Sequence, residues 1–155
     1  MEYKIDDNLK KALLNDHFEY EFRRMREIFL YMLNEGIRNK NQIITENFVL
    51  VAFLTHIRNL YEFFYKPGNI DWASAEHYIS EWKSKRKLPE NIKNYNIRIN
   101  HFLSHLSYRR VDTEFKPYEI DILYKHFEEI LKYFFSLLPE KYKTPKIIKL
   151  LEDLK

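Results

Sequence analysis

Two glycines in 155 residues is the feature that most limits what this chain can become. Sandwiches, barrels and meanders reverse direction every few residues, and those reversals draw heavily on glycine and proline. With 2 Gly and 5 Pro the chain has few places to turn, so its elements must be long. Long elements separated by rare breaks read as helices. Hydrophobic residues make up 45% of the chain and aromatics 17%, with 12 Phe and 12 Tyr, enough apolar surface to offset chain entropy and argue against disorder. The length fits one domain.

The periodicity agrees. Leu14, Phe18, Phe22, Met25, Phe29, Met32 and Leu33 recur at steps of three and four, predicting a helix from Asn8 to Glu35 with Asp6 or Asp7 as N-cap and Gly36 past its end. A second helix is expected from Glu46, capped by Thr45, to Tyr65, where Pro67-Gly68 stops it; Phe53, Ile57, Leu60 and Phe64 form its core stripe. A shorter third spans Trp72 to Lys83, presenting Trp72, Ala75, Tyr78, Ile79 and Trp82. The charged run Lys83-Ser84-Lys85-Arg86-Lys87 reads as a solvated loop. Pro89 opens a fourth helix through Arg109, with Ile92, Ile99, Phe102, Leu103 and Leu106 inward. Pro117 opens a fifth to Leu138, and Thr144-Pro145 starts a short amphipathic one with Ile147, Ile148, Leu151 and Leu154. The expected fold is all-α: one antiparallel bundle of four to five main helices with a short C-terminal helix.

Several function classes drop out on composition. No cysteine means neither disulfides nor thiolate metal sites, and the default location is cytoplasmic. No secretory leader is visible, and the most apolar stretch, Phe48 to Leu54, is far short of a membrane span. Gly-rich phosphate loops and serine nucleophile elbows are absent. The formal charge of +3 leans toward polyanions without demanding them.

The densest polar constellation runs from Arg98 to Arg110. Seven residues turn a helix through about 700°, so Arg98 and His105 fall within about 20° of one another, with His101 and Arg109 near the same line. Such a stripe of cations and imidazoles can bind phosphate and move protons near neutral pH. A second group, His56-Ile57-Arg58-Asn59-Leu60-Tyr61-Glu62, lies mid-helix, with Arg58 and Glu62 at pairing distance and Asn59 or Glu62 placed to orient the first group across the bundle. His101 and His105 also have metal-ligand spacing, but a third ligand from His56, His77 or Glu62 would be required, so no metal or other cofactor is expected.

At Arg98 and His105, with six residues between them, the sequence resembles the HEPN superfamily, small helical bundles whose RNase members carry an Arg, a short spacer and a His, and dimerise to form the site. Here Ile99 follows the Arg and Asn100 comes one position later. The resemblance implies that Arg98 holds a phosphate and His105 transfers a proton at a ribose 2′-hydroxyl without metal; by their positions in the two groups, Asn100, His101, Arg109, Arg58, Asn59 and Glu62 are the supporting candidates. It implies a homodimer acting on RNA, in a defence or toxin–antitoxin setting with an antitoxin-like partner. Two other readings stay open: a non-catalytic interaction module in which these residues form a structural polar network, and a metal-dependent three-histidine hydrolase.

Overall fold

The computed structural model describes residues 5–35, 43–69, 71–104 and 118–154, and every regular element among them is helical. The first helical rod is continuous but changes pitch: α1 (Asp7–Ala12) passes into a π-helical segment (Leu13–Phe18) and then α2 (Glu19–Glu35). Asp6 is the cap, its carboxylate accepting from the Leu9 amide at 2.8 Å. Leu14, Phe18 and Phe22 are separated by two successive steps of four. The wider turn, marked by the Glu19 amide reaching the Leu14 carbonyl, brings all three inward. Leu33, expected in this stripe, is 57% exposed, and Met32 takes the inward place. Gly36 lies outside the described residues.

α3 (Ile43–Tyr65) starts two residues ahead of Thr45 and is the centre of the molecule, with Phe53, Leu54, Ile57, Leu60 and Phe64 essentially sealed from solvent. Its C-terminal carbonyls find partners beyond the helix. The Trp82 indole donates to the Phe64 carbonyl at 2.8 Å, the Arg86 guanidinium to that of Tyr65 at 2.8 Å, and Ser74 Oγ to that of Lys66 at 2.9 Å. These are the acceptors that a helix end leaves orphaned.

That arrangement replaces the helix expected over Trp72 to Lys83. The segment is instead a 3₁₀ turn, Ala75–His77, and a single helical turn, α4 (Trp82–Lys85), separated by Glu81 at φ 60°. Asn69 Oδ1 accepts from the amides of Asp71 and Trp72, and Ser74 Oγ from that of Glu76, so side chains compete for the amides that a helix would use. Ala75, Tyr78, Ile79 and Trp82 are still buried, because their spacing suits stacked turns as well as a helix; Trp72 is exposed. The Lys83 to Lys87 run is likewise no simple solvated loop, since its first part is α4 and Arg86 is half-buried against Tyr65.

α5 (Glu90–Ser104) follows Pro89, and α6 (Ile120–Leu137) carries Leu123, Phe127, Ile130, Leu131, Phe134 and Phe135 inward. Pro117 and Leu106 lie outside the described residues. After Leu138 a 3₁₀ turn (Glu140–Tyr142) leads to α7 (Pro145–Glu152), which packs on α2 and the π segment through Ile147, Leu150 and Leu154; Ile148, expected inward, is exposed. Tyr142 and Lys141 bond Asp7, fastening the C-terminal arm to α1.

Ring contacts fix the helix directions. Phe18 meets Phe63, Phe64 and Phe134, while Phe29 meets Phe53 and stacks on Tyr124 at 4.0 Å, so α3 and α6 both run antiparallel to α2. α5 runs antiparallel to α3 and α6 and packs against α3. Nine phenylalanines are buried in one continuous core. Among the described aromatics, Phe48 and Trp72 remain exposed, at 71% and 63%.

Candidate functional site

α3 packs against both α5 and α6, whereas α5 and α6 touch each other only sparsely among the described residues. The result is a seam between α5 and α6, bridged by a cation–aromatic cluster at each end.

Arg98 belongs to the upper cluster. Its side chain is half-buried, with the guanidinium carbon 4.7 Å from the centre of the Tyr118 ring and 5.6 Å from that of Tyr95. The Tyr95 hydroxyl donates to Glu119, and Phe102 packs on the outer side of Tyr118. Burial, and after it the bond to Glu119, raises the Tyr95 phenol above its ordinary range, so it stays protonated. Two aromatic faces thus hold a planar cation at the border of the core, where cation–π contacts contribute roughly 0.5–1 kcal/mol each. A guanidinium is a planar fork of donors, the shape that matches a phosphate or carboxylate.

The other sequence-derived candidates are dispersed. His101 is half-buried and lies about 60° from Arg98 around α5, on the same flank. Asn100 is half-buried but sits about 160° from Arg98, across the buried face, so the two do not share a flank. His105 and Arg109 lie outside the described residues. On α3, the Glu62 carboxylate receives Lys66, just past the helix end, at 2.8 Å and Arg58 of its own helix at 3.6 Å. Asn59 is exposed. His56 is taken by Glu21 of α2, Nδ1 to Oε2 at 2.6 Å, and His77 lies against Gly68 in another part of the molecule. Among the described residues no three His, Asp or Glu side chains gather where they would hold a metal ion.

Sequence reasoning missed the partners that hold Arg98. Tyr95 was within reach of it, because residues three apart on a helix are neighbours. Tyr118 and Glu119 follow a break in the chain and carry no local signal.

The lower cluster was missed altogether. Tyr65 Oη donates to the Lys87 carbonyl at 3.1 Å and lies 2.7 Å from His126 Nε2, and the His126 ring stacks on the Tyr65 ring. With the phenolic proton on the carbonyl, the Nε2–H tautomer of neutral His126 completes the chain of bonds. Burial pushes the His126 imidazole below its ordinary value, and Glu129 pulls the other way. Burial likewise raises the Tyr65 phenol. Arg86 covers the far face of this group, 5.0 Å from the Tyr65 ring centre.

Compared with known proteins, the chain matches no family model, no curated protein and no solved structure. No helix of the described residues is long and apolar enough to cross a membrane.

Proposed function

We propose that this chain is an RNA-directed helical bundle, either a binder or a metal-independent endoribonuclease, with Arg98 gripping a phosphate and His105 transferring the 2′-hydroxyl proton. The observation that carries it is the fixing of Arg98 on α5 by the rings of Tyr95 and Tyr118. A cation that is already oriented gives up little freedom when phosphate arrives, and it can stabilise charge building on that phosphate during cleavage. His105 lies seven residues further along the sequence, a separation that helix geometry places on one line. The reading takes its reaction class from the resemblance to HEPN proteins, and with it a homodimer, a defence or toxin–antitoxin setting and an antitoxin-like partner.

The test is cleavage of RNA in the presence of EDTA by wild-type protein and by Arg98→Ala and His105→Ala. A positioned general base contributes roughly 10²–10⁴-fold, so loss of either group takes cleavage below detection while circular dichroism and a cooperative melt stay near wild type. Wild-type protein that binds RNA without cutting it restricts the function to binding; wild type that does neither, or two variants that cut normally, ends the reading. Sedimentation at micromolar concentration should give a dimer, and a monomer alone would remove the shared-site part of it.

A second reading has its own observation. The same Tyr95–Arg98–Tyr118 contacts join α5 to the start of α6, as a structural network would. Under it, Arg98→Ala lowers the melting temperature of a parent that neither binds nor cuts RNA.

A further inference from the structure

The lower end of the seam opens into a pocket of about 380 Å³ lined by Arg86, Lys87, Pro89, His126, Glu129 and Tyr133, with Lys85 at its edge. We propose that it binds a nucleotide, with the phosphate on the Lys85–Lys87 side and the base on Tyr133. Arg98 does not line it, so it stands apart from the Arg98 contacts described above.

Four observations support this assignment. The volume lies within the range of small-molecule sites, roughly 300–1,000 Å³. The charge is one-sided: three consecutive cations face a single carboxylate, Glu129, and His126 is held toward its neutral form by burial. One of those cations is already placed: Arg86 is fixed by its bond to the Tyr65 carbonyl and by the Tyr65 ring, which holds its charge beside the pocket. Finally, α5 begins at this pocket, directly after Pro89, which has no side-chain oxygen with which to cap it. The positive end of a 15-residue helix dipole is therefore added to the cationic side.

The opposite wall explains why a nucleotide fits better than a bare anion. Tyr133 is 42% exposed, and its ring is braced from behind by Trp82, 5.8 Å away and inclined by 32°. A braced, exposed aromatic ring is a stacking surface for a base, and such stacking is tolerant of base identity. Ile130 supplies an apolar side to the pocket. Glu129 is the unfavourable group for phosphate, and that makes it useful as a probe.

The ligand chemistry is a base joined to a phosphate, and it has two sources: a free mononucleotide or one nucleotide of an RNA strand. Calorimetric titration of the full chain with AMP should show saturable binding, with adenosine and inorganic phosphate each weaker by about tenfold or more. Lys87→Glu, at an exposed position whose structural bond uses only the backbone carbonyl, should weaken AMP by about tenfold or more. Glu129→Gln should tighten it, and Tyr133→Ser should weaken AMP while leaving phosphate unchanged. Arg86 is left intact because it also caps α3. Arg98→Ala should bind AMP as wild type does, whatever its effect on RNA. A short oligoribonucleotide that displaces AMP identifies an RNA strand as the source; AMP retained at saturating oligonucleotide identifies the free nucleotide. The proposal is overturned by absence of AMP binding at about 10 mM, by AMP binding that Lys87→Glu leaves untouched in a normally melting protein, or by phosphate binding as tightly as AMP.

Discussion

Replacing Trp82 by Phe isolates the device that ends α3. The Trp82 side chain is fully buried, its indole N–H donates to the Phe64 carbonyl, and its rings contact Phe64, Tyr133 and Phe134. Phenylalanine keeps most of the ring contact but has no donor, so a carbonyl in the last turn of α3 is left buried and unpaired, at a cost of about 1–3 kcal/mol. The smaller ring also leaves a void, for which about 1 kcal/mol more is a fair figure. A total near 3 kcal/mol, at about 2–4 °C per kcal/mol for a domain of this size, lowers the melting temperature by about 6–12 °C. Far-UV circular dichroism during thermal and urea unfolding reads the change, with an unchanged urea slope if the native fold is kept. Trp72→Phe is the internal control: that side chain is 63% exposed and should shift stability by no more than about 0.5 kcal/mol. A Trp82→Phe protein melting within about 2 °C of wild type, or no lower than Trp72→Phe, would falsify the claim that a side chain from the connecting segment terminates this helix.

Gly68→Ala should destabilise the protein, because an added Cβ would meet His77 Nε2 at 2.4 Å and Ser74 Cβ at 2.9 Å; pairing it with His77→Ala should recover part but not all of the loss, and equal single and double variants would sink the steric account. Burial, ahead of any charged neighbour, depresses the imidazoles of His77 and His126 below the usual 6.5. The unfolded chain therefore takes up protons first as pH falls, so stability should decline on acidification from 6.5 down through the depressed values, in proportion to the extra protons bound. His126→Gln, which retains a partner for Tyr65, should flatten that decline in denaturant titrations across pH, and an unchanged slope would count against burial of the imidazole.

The all-α fold was legible because helix-period stripes on α2 and α3 coincide with scarce glycine, and the buried residues of α3 match its stripe closely. Boundaries and faces were less so, for particular reasons. Leu33 and Ile148 fit an apolar spacing but fall on solvent-facing flanks, since a three-or-four rule admits positions on either side of the true stripe. The Trp72 to Lys83 helix failed because Asn69 and Ser74 bind the amides it would need, a competition that hydrophobic periodicity does not register. At the site, the sequence isolated Arg98 and its helix face, because that information is local to α5. Tyr118, Glu119 and the Tyr65–Arg86–His126 group come together from distant segments, and no spacing within one element announces them.

Arg98→Lys separates the two roles that Arg98 can have. Lysine keeps a cation that can sit over Tyr95 or Tyr118, so if the residue only ties α5 to α6, most of its stabilising effect survives, the loss staying below the roughly 1–2 kcal/mol that two cation–π contacts contribute together. Phosphate recognition behaves differently. The ammonium retains the charge, and with it the counterion released on binding a strand, but it loses the planar fork that two phosphate oxygens require. Affinity for single-stranded RNA should therefore fall while its dependence on salt stays as in wild type. Arg98→Ala should lose both, with the slope of log K against log salt shallower by about 0.7. Filter binding across a salt series measures both quantities on one protein preparation. A lysine variant that binds as tightly as wild type would show that the fork is not engaged, and an alanine variant with an unaltered slope would show that Arg98 touches no phosphate. Either result leaves the tyrosines holding Arg98 for the sake of the bundle alone.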